Sequence, residues 1–490
     1  MPRLRLTRST ARIFGSSMLA VGVLILCGLQ LAAQDSASPE PTVRQAVRFA
    51  VSPPVRDLAK LPRAPRYGLH EALPVRRIAK PYFGLAVDPV EQNTAIGAPA
   101  ASYTIGLDFL GVGNGFPGYT VPDAPPDTNM AVGDTQILQW VNVSFAVFNK
   151  FNGATLAGPI DGNLLFTALG SPCATSNSGD IIAQWDVAAH RWLLAQNVFS
   201  GPPYYACVAV STSADALGTY YLYQFSLGNG FPDYPKWGGW NTSWAQTMNN
   251  FGPGGSGFVG PEVCVYNRTK LLLGQSGPPA IQVCFQLAPD GDSLLPADID
   301  SPTNPPSAED QFFIGSVADV STHQLSLYSV HVNWLTPSSA TITGNHNSQL
   351  IAVPTYTGSC SGSYGGDCVP QKGIRDMLDS LGDRLMYRFA YYNDPVGGKQ
   401  HWYVNHDVEA SAGQIGVRWY EFQAPQFAIP PLGLTLFQSG TYAPDSNYGN
   451  YLLDSTTYLA YNFVHGEQDH ERTKEPARSN RLLLEPRQLH

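Results

Sequence analysis

Gly179-Asp180-Ile181-Ile182-Ala183-Gln184-Trp185 is the stretch from which the architecture can be read. A tight polar turn, Gly179-Asp180, runs directly into an apolar and aromatic segment, the pattern of a turn feeding a β-strand. The same pattern stands 53 residues earlier at Pro126-Asp127-Thr128-Asn129 and 53 residues later at Pro232-Asp233-Tyr234-Pro235. Leu295-Pro296-Ala297-Asp298, Gly382-Asp383-Arg384 and Pro444-Asp445-Ser446 continue the series at intervals of 65, 85 and 62 residues. The longer intervals hold insertions, among them 302–306 and the loop from Cys360 to Cys368. Short aromatic and β-branched runs lie between the turns, such as Tyr220-Tyr221-Leu222-Tyr223-Gln224-Phe225 and Gly416-Val417-Arg418-Trp419-Tyr420-Glu421, with no sustained helical period. A four-stranded unit of about 40–50 residues is the period of a propeller blade. The expectation is an all-β chain: a β-propeller of five or six four-stranded blades, with an extended N-terminal leader and a non-β C-terminal tail.

Composition divides the chain into four parts. Charged residues are 14% of the 490, against roughly 25% in an average globular domain. That scarcity argues against a coiled coil, and the 11% aromatics argue against disorder. A net charge of −9 disfavours nucleic acid as a partner. Residues 1–34 carry Arg3, Arg5, Arg8 and Arg12, then an apolar run from Met18 to Leu26 and small residues beyond it, the form of a secretory signal peptide. Residues 35–82 hold eight prolines and a charge of +5, and read as a basic linker or a strap folded onto the body. The body, 83–465, has only 40 charged residues in 383, whereas the tail, 466–490, has ten in 25. The tail is expected to be disordered or to form a short helix at Arg481-Leu482-Leu483-Leu484. The expected product is a secreted or periplasmic monomer with no membrane segment after cleavage.

Pro125 to Gly133, Gly179 to Trp185, Asp233-Tyr234-Pro235-Lys236, Asp379 to Tyr387 and Gly440 to Asn447 together resemble a group of exported bacterial β-propeller proteins of unknown activity. The resemblance covers roughly 120–448 and implies a fold and an exported location, with no catalytic residues to transfer. Ser213-Ala214-Asp215-Ala216-Leu217-Gly218-Thr219-Tyr220 is similar, more loosely, to the Asp-box turn of sialidase-type propellers. The alternative for that segment is an ordinary Asx-turn hairpin.

Cleavage of the signal peptide would remove Cys27 and leave six cysteines, an even number that implies disulfides in an exported chain. Pairings Cys173–Cys207, Cys264–Cys284 and Cys360–Cys368 keep each bond within one repeat or insertion. No zinc-type spacing is present. Asp290, Asp292, Asp298 and Asp300 offer oxygen ligands for a calcium ion; no other cofactor is expected.

If the recurrent aspartates open the innermost strands, Asp127, Asp180, Asp233, Asp298, Asp383 and Asp445 converge near the axis. Converging carboxylates raise one another's pKa and can serve glycoside hydrolysis. Asp127, Asp180 and Asp233, with Glu262 ahead of the strand Val263-Cys264-Val265, are the candidate catalytic acids. Tyr234, Trp237, Trp240 and Trp244 are candidate sugar-stacking residues, and Arg384 and Arg388 candidate partners for a ligand carboxylate. The reading is a protein that binds a polysaccharide or cell-surface glycan. A glycoside hydrolase or lyase is the alternative, and a structural envelope protein without catalysis is the third.

Overall fold

The strands alternate two sets of apolar side chains rather than apolar with polar. Trp192 and Leu194 belong to one buried cluster, Leu193 and Ala195 to another. A sheet built this way must be covered on both faces. The computed structural model describes residues 39–62, 70–71, 76, 78, 80–82, 87–92, 106–124, 126–278, 281–306, 310–316, 322–345, 348–362, 366–370, 375, 377–411, 414–426, 434–443 and 481–483. All the elements lie in the unit Glu40–His490, and the expected signal peptide at 1–34 falls outside the described residues.

Among the described residues, five consecutive antiparallel meanders of four strands occupy 129–161, 181–228, 231–286, 295–343 and 386–442. Their first strands are β1 (Asn129–Val132), β2 (Ile181–Asp186), β3 (Phe231–Gly239), β4 (Leu295–Ile299) and β5 (Met386–Asp394). Apolar layers fill the spaces between successive sheets. Trp140 and Phe145 of the first meander meet Trp192 and Leu222 of the second. Tyr223 and Phe225 meet Trp237, Trp244 and Tyr266 of the third. Val263 and Phe285 meet Phe313 and Tyr328 of the fourth, and Phe312 and Leu327 meet Trp402 and Tyr420 of the fifth. The far face of the first sheet is covered by Val112 and Phe116, packed on Met130, Ile137 and Phe148. This is the blade arrangement of a β-propeller.

A residue in the left-handed region recurs near each first strand: Asp127 (φ 41°), Asp180 (φ 48°) and Ser293 (φ 48°) one or two residues ahead of it, Leu381 (φ 47°) five residues ahead, and Tyr234 (φ 55°) just inside it. Asp tolerates this conformation better than most side chains. The series corrects one member of the sequence repeat. The fourth unit is entered through Asp292-Ser293, and Asp298 lies inside β4. The segment 287–294 delays the strand, so the Leu-Pro-Ala-Asp match sits one strand-length too late. Asp445 lies outside the described residues.

The leader contributes to the sheets. Arg48–Val51 extends the second meander, with Val51 opposite Tyr221. Thr42–Arg44 extends the third, and Glu91–Gln92 pairs in parallel with Thr435–Tyr442 of the fifth. The two early strands fit between Pro41 and Pro53, where no proline interrupts the ladder. In the tail, expected to be disordered or a short helix and non-β, Arg481–Leu483 is a strand antiparallel to Asp108–Leu110; so short an apolar run cannot nucleate a helix alone.

The turn resembling an Asp-box joins the two outer strands of the second meander. Asp215 Oδ1 accepts the Leu217 N–H at 2.9 Å, and Ser213 Oγ accepts the Asp215 N–H at 3.3 Å. The cysteines pair as Cys173–Cys207, Cys264–Cys284 and Cys360–Cys368, with Cα separations of 5.9, 4.0 and 5.5 Å.

The segment just after the leader carries a fully buried acid. Asp88 Oδ1 accepts from Arg418 Nη2 at 2.7 Å, and its Oδ2 from the Thr441 hydroxyl at 2.6 Å; both charged side chains have zero exposure. Removing one partner of such a pair leaves the other charged and desolvated, at a cost of about 3–5 kcal/mol. Asp88→Asn is therefore expected to lower unfolding stability by about 3 kcal/mol in guanidinium titration. Asp88→Asn combined with Arg418→Met is expected to cost less than the single change.

Candidate functional site at the ends of the axial strands

The starts of the first strands gather carboxylates, and the structure shows what holds them. Asp233 Oδ2 accepts the Arg76 N–H at 2.8 Å and its Oδ1 the Tyr234 N–H at 3.0 Å. Burial pushes the Asp233 carboxyl up, opposed by those bonds and by Arg384. Asp292 is paired with Lys80, both side chains being buried. Asp383 is gripped by Arg384 through Nε at 2.7 Å and Nη2 at 2.8 Å. Arg384 and Lys236 both lie over the Tyr234 ring, at 4.6 and 4.0 Å from its centre. Asp127 and Asp180, partly buried, precede β1 and β2.

Glu262 is not at the axis. It sits on the third strand of its meander, Ser256–Asn267, where its oxygens accept from Arg44 at 2.9 Å and Asn250 at 3.1 Å. The three tryptophans are largely buried in the packed layers, although Trp240 and Trp244 reach the depression described below. Trp237, Trp240 and Trp244 are each 1% exposed, and Trp237 stacks on Tyr266 with ring centres 4.8 Å apart. When both faces of a sheet are buried, alternation cannot distinguish a core tryptophan from a surface one. Tyr234 is buried too, beneath its two cations. Arg384 and Arg388 are taken by acids of the chain itself: Asp383 for the first, Asp298 and Asp300 for the second.

The proposed calcium ligands are likewise separated. Asp292 holds Lys80 at the strand starts, whereas Asp298 and Asp300 share Arg388. Among the described residues the one group with metal-ligand proximity is Glu262, Cys264 and Cys284. Its two sulfurs are joined in a disulfide and have no thiolate to offer.

The ends of β2, β3 and β4 form a depression of about 370 Å³, including its open mouth. Trp185, partly exposed, stands in its wall, tilted on Trp192 at 4.7 Å. Beside it, Asp186 receives Arg268 Nε at 2.5 Å and Nη2 at 2.7 Å, a two-pronged pairing that fixes both planes. Gln184, Asp298 and Asn304 complete the polar lining, with Trp240 as part of the apolar base. Asp298 Oδ1 accepts the Gly239 N–H at 2.7 Å, and its Oδ2 meets Gln184 Nε2 at 3.2 Å and Arg388 at 2.5 Å. Burial raises the Asp298 carboxyl to about 7; Arg388 opposes the rise, and Asp300 adds to it. One guanidinium faces two carboxylates there, so the more buried acid is only partly compensated.

Sequence reading missed Trp185, Asp186 and Gln184 as site residues, although Gln184-Trp185-Asp186 ends the strand that defines the repeat. The available signal was position: these residues close a first strand, where a propeller presents its axial loops.

No protein-family model matches the chain, and no curated protein matches it. Among solved structures it is similar to an exo-β-1,3-galactanase from Clostridium thermocellum, with 7% identity over 69% of each chain and a TM-score of 0.31. It is also similar to an arabinanase from Bacillus subtilis, with 9% identity over 60% of this chain and 93% of that one and a TM-score of 0.27. An α-L-arabinanase from Cellvibrio cellulosa, complexed with arabinohexaose, gives 8% identity over 67% and 98% and a TM-score of 0.27. At these scores no residue correspondence carries over, and the site rests on its own geometry.

Asp298 supplies a pH test. Its folded value of about 7 lies above the ordinary 3.8. Between those values the folded chain binds a proton that the unfolded chain has released, so stability falls as pH rises. Wild type is expected to lose on the order of 2 kcal/mol more than Asp298→Asn between pH 5 and pH 8 in urea titrations. Parallel profiles for the two proteins would refute the assignment.

Proposed function

We propose that the protein is an exported β-propeller of five blades that binds a carbohydrate or a glycan-bearing surface in the depression at the ends of β2, β3 and β4. The observation that carries this reading is the half-buried Trp185 beside the rigid Asp186–Arg268 pair, with Gln184 and Asn304 in the same wall. A sugar presents an apolar face and a rim of hydroxyls. An aromatic wall next to fixed donors and acceptors suits both, as in most small-ligand sites. The basic and then apolar segment at 1–34 supports export, as do three disulfides in a chain of low charge.

A second reading, hydrolysis, is favoured by one observation. Asp298, raised to about 7, lines the same depression as Asp186, and the two carboxylates influence each other electrostatically. Two acids in contrasting environments are the pattern of a general acid and its partner. Against this, both Asp298 oxygens already accept hydrogen bonds from the protein. Binding is therefore the conclusion.

Titration calorimetry with a polysaccharide panel, run beside a reducing-sugar assay, tests both readings. Trp185→Ala is expected to weaken the bound glycan at least tenfold, about 1.4 kcal/mol. Trp185→Phe should recover part of the loss and so separate stacking from folding. Binding without sugar release supports the module. Sugar release that Asp298→Asn abolishes while binding persists would establish the hydrolase instead.

A further inference from the structure

The opposite end of the axis, where the strands start, is filled by the chain's own leader. Three acids stand there, Asp233, Asp292 and Asp383, and Arg384 interacts electrostatically with all of them. Lys80 has a side chain with zero exposure and an ammonium paired with Asp292. Arg76 donates its N–H to Asp233 at 2.8 Å, and its carbonyl accepts from Arg384 Nη2 at 3.3 Å. The Arg76 guanidinium lies 4.8 Å from the centre of the Phe231 ring. Between them, Ile78 packs against the apolar layer that joins the second and third sheets. Arg76, Ile78 and Lys80 recur every second residue, the period of an extended segment showing one side to its partner. One bonding position in this pocket is still unfilled: Arg384 Nη1 is buried with no acceptor.

An ammonium is withdrawn from water at a cost of several kcal/mol unless a matched acid receives it. A linker that merely lay on the surface would keep its lysine solvated, as Lys60 does with a side chain 74% exposed. We propose that this end of the axis is a receptor site for an extended basic peptide segment of the form cation–apolar–cation, and that Arg76, Ile78 and Lys80 occupy it in cis as a plug. The site's ligand is thus a peptide, bound by its main chain at Asp233 and Arg384, by an apolar side chain at the Ile78 position and by an amine at Asp292. Tethering gives the plug a high local concentration, so a free peptide competes only when the cis contact is weakened. The inference does not depend on what the depression at the other end binds.

The test uses the whole chain and a fluorescent peptide spanning residues 74–82, with a control peptide carrying Lys80→Ala. Protein bearing Lys80→Ala is expected to bind the native-sequence peptide at least tenfold more tightly than wild-type protein does. The control peptide should not compete, and adding Asp292→Asn to the protein should remove the gain. Equal binding by wild type and Lys80→Ala, or a gain that survives Asp292→Asn, overturns the proposal. A second measurement needs no variant. Under brief native acetylation read by mass spectrometry, Lys80 is expected to react at least tenfold more slowly than Lys60, and equal rates would show that the plug is not seated.

Discussion

Pairing between charges of the N-terminal segment and opposite charges buried in the sheets is the constraint on which this molecule depends. Lys80 meets Asp292, Arg44 meets Glu262, and in the reverse sense Asp88, just after the leader, meets Arg418. The body has few charges, and several of its acids stand where first strands draw together. Carboxylates brought together in a low-dielectric interior repel one another and lose their hydration. Arg384 answers part of this from within the fifth meander, since it reaches Asp383 directly and senses Asp233 and Asp292. The remaining compensation comes from residues 44–88. The leader is therefore part of the electrostatics of the fold, and the propeller body alone would carry buried charges without partners.

The same segment settles a second difficulty. A propeller leaves an outer edge on each sheet, and an unpaired edge is a template for association. Thr42–Arg44, Arg48–Val51 and Glu91–Gln92 each lie along such an edge, on the third, second and fifth meanders. The pairing and the charge compensation reinforce each other. Arg44 ends its strand beside Glu262 and also points Nη1 at the Ser226 carbonyl at 3.3 Å. A strand of three residues contributes little by itself; its arginine fixes the register.

The fold was legible in the sequence wherever a local rule was repeated without insertion. Asp127 and Asp180 take left-handed backbone ahead of a strand, and their spacing of 53 residues marks one meander. At the later meanders the positive φ passes to Tyr234, Ser293 and Leu381, and at the fourth the repeat aspartate itself is misplaced: Asp298 looks like a turn aspartate but belongs to a strand. The site was harder to see. Trp237 and Trp185 occupy the same kind of sequence, an aromatic within a first strand, yet one is sealed by Tyr266 and the other is half-exposed. Only the position of the neighbouring blade decides which, and that is a tertiary fact. Arg388 illustrates the same limit: its partners Asp298 and Asp300 are about 90 residues away and meet it only because β4 and β5 pair in parallel.

The two ends of the axial strands are thereby made unequal. At the starts, turn geometry places an acid ahead of several strands, and a ring of like charges has to be closed by cations before the strands can approach. At the far ends no such rule operates, because each first strand leaves through its own turn to the second strand. Those ends are free to carry Trp185, Asp186 and Asn304, and the ion pair Asp186 makes there, with Arg268, stands at the wall of the depression. Asp298 marks the boundary between the regimes. Its partners Arg388 and Gly239 belong to the packed axis, while its other neighbours Gln184 and Asp186 belong to the open wall. Its raised pKa follows from that position, buried enough to lose water and one cation short of full compensation. Ligand chemistry is therefore expected at the end of the axis where folding imposes the fewest charges.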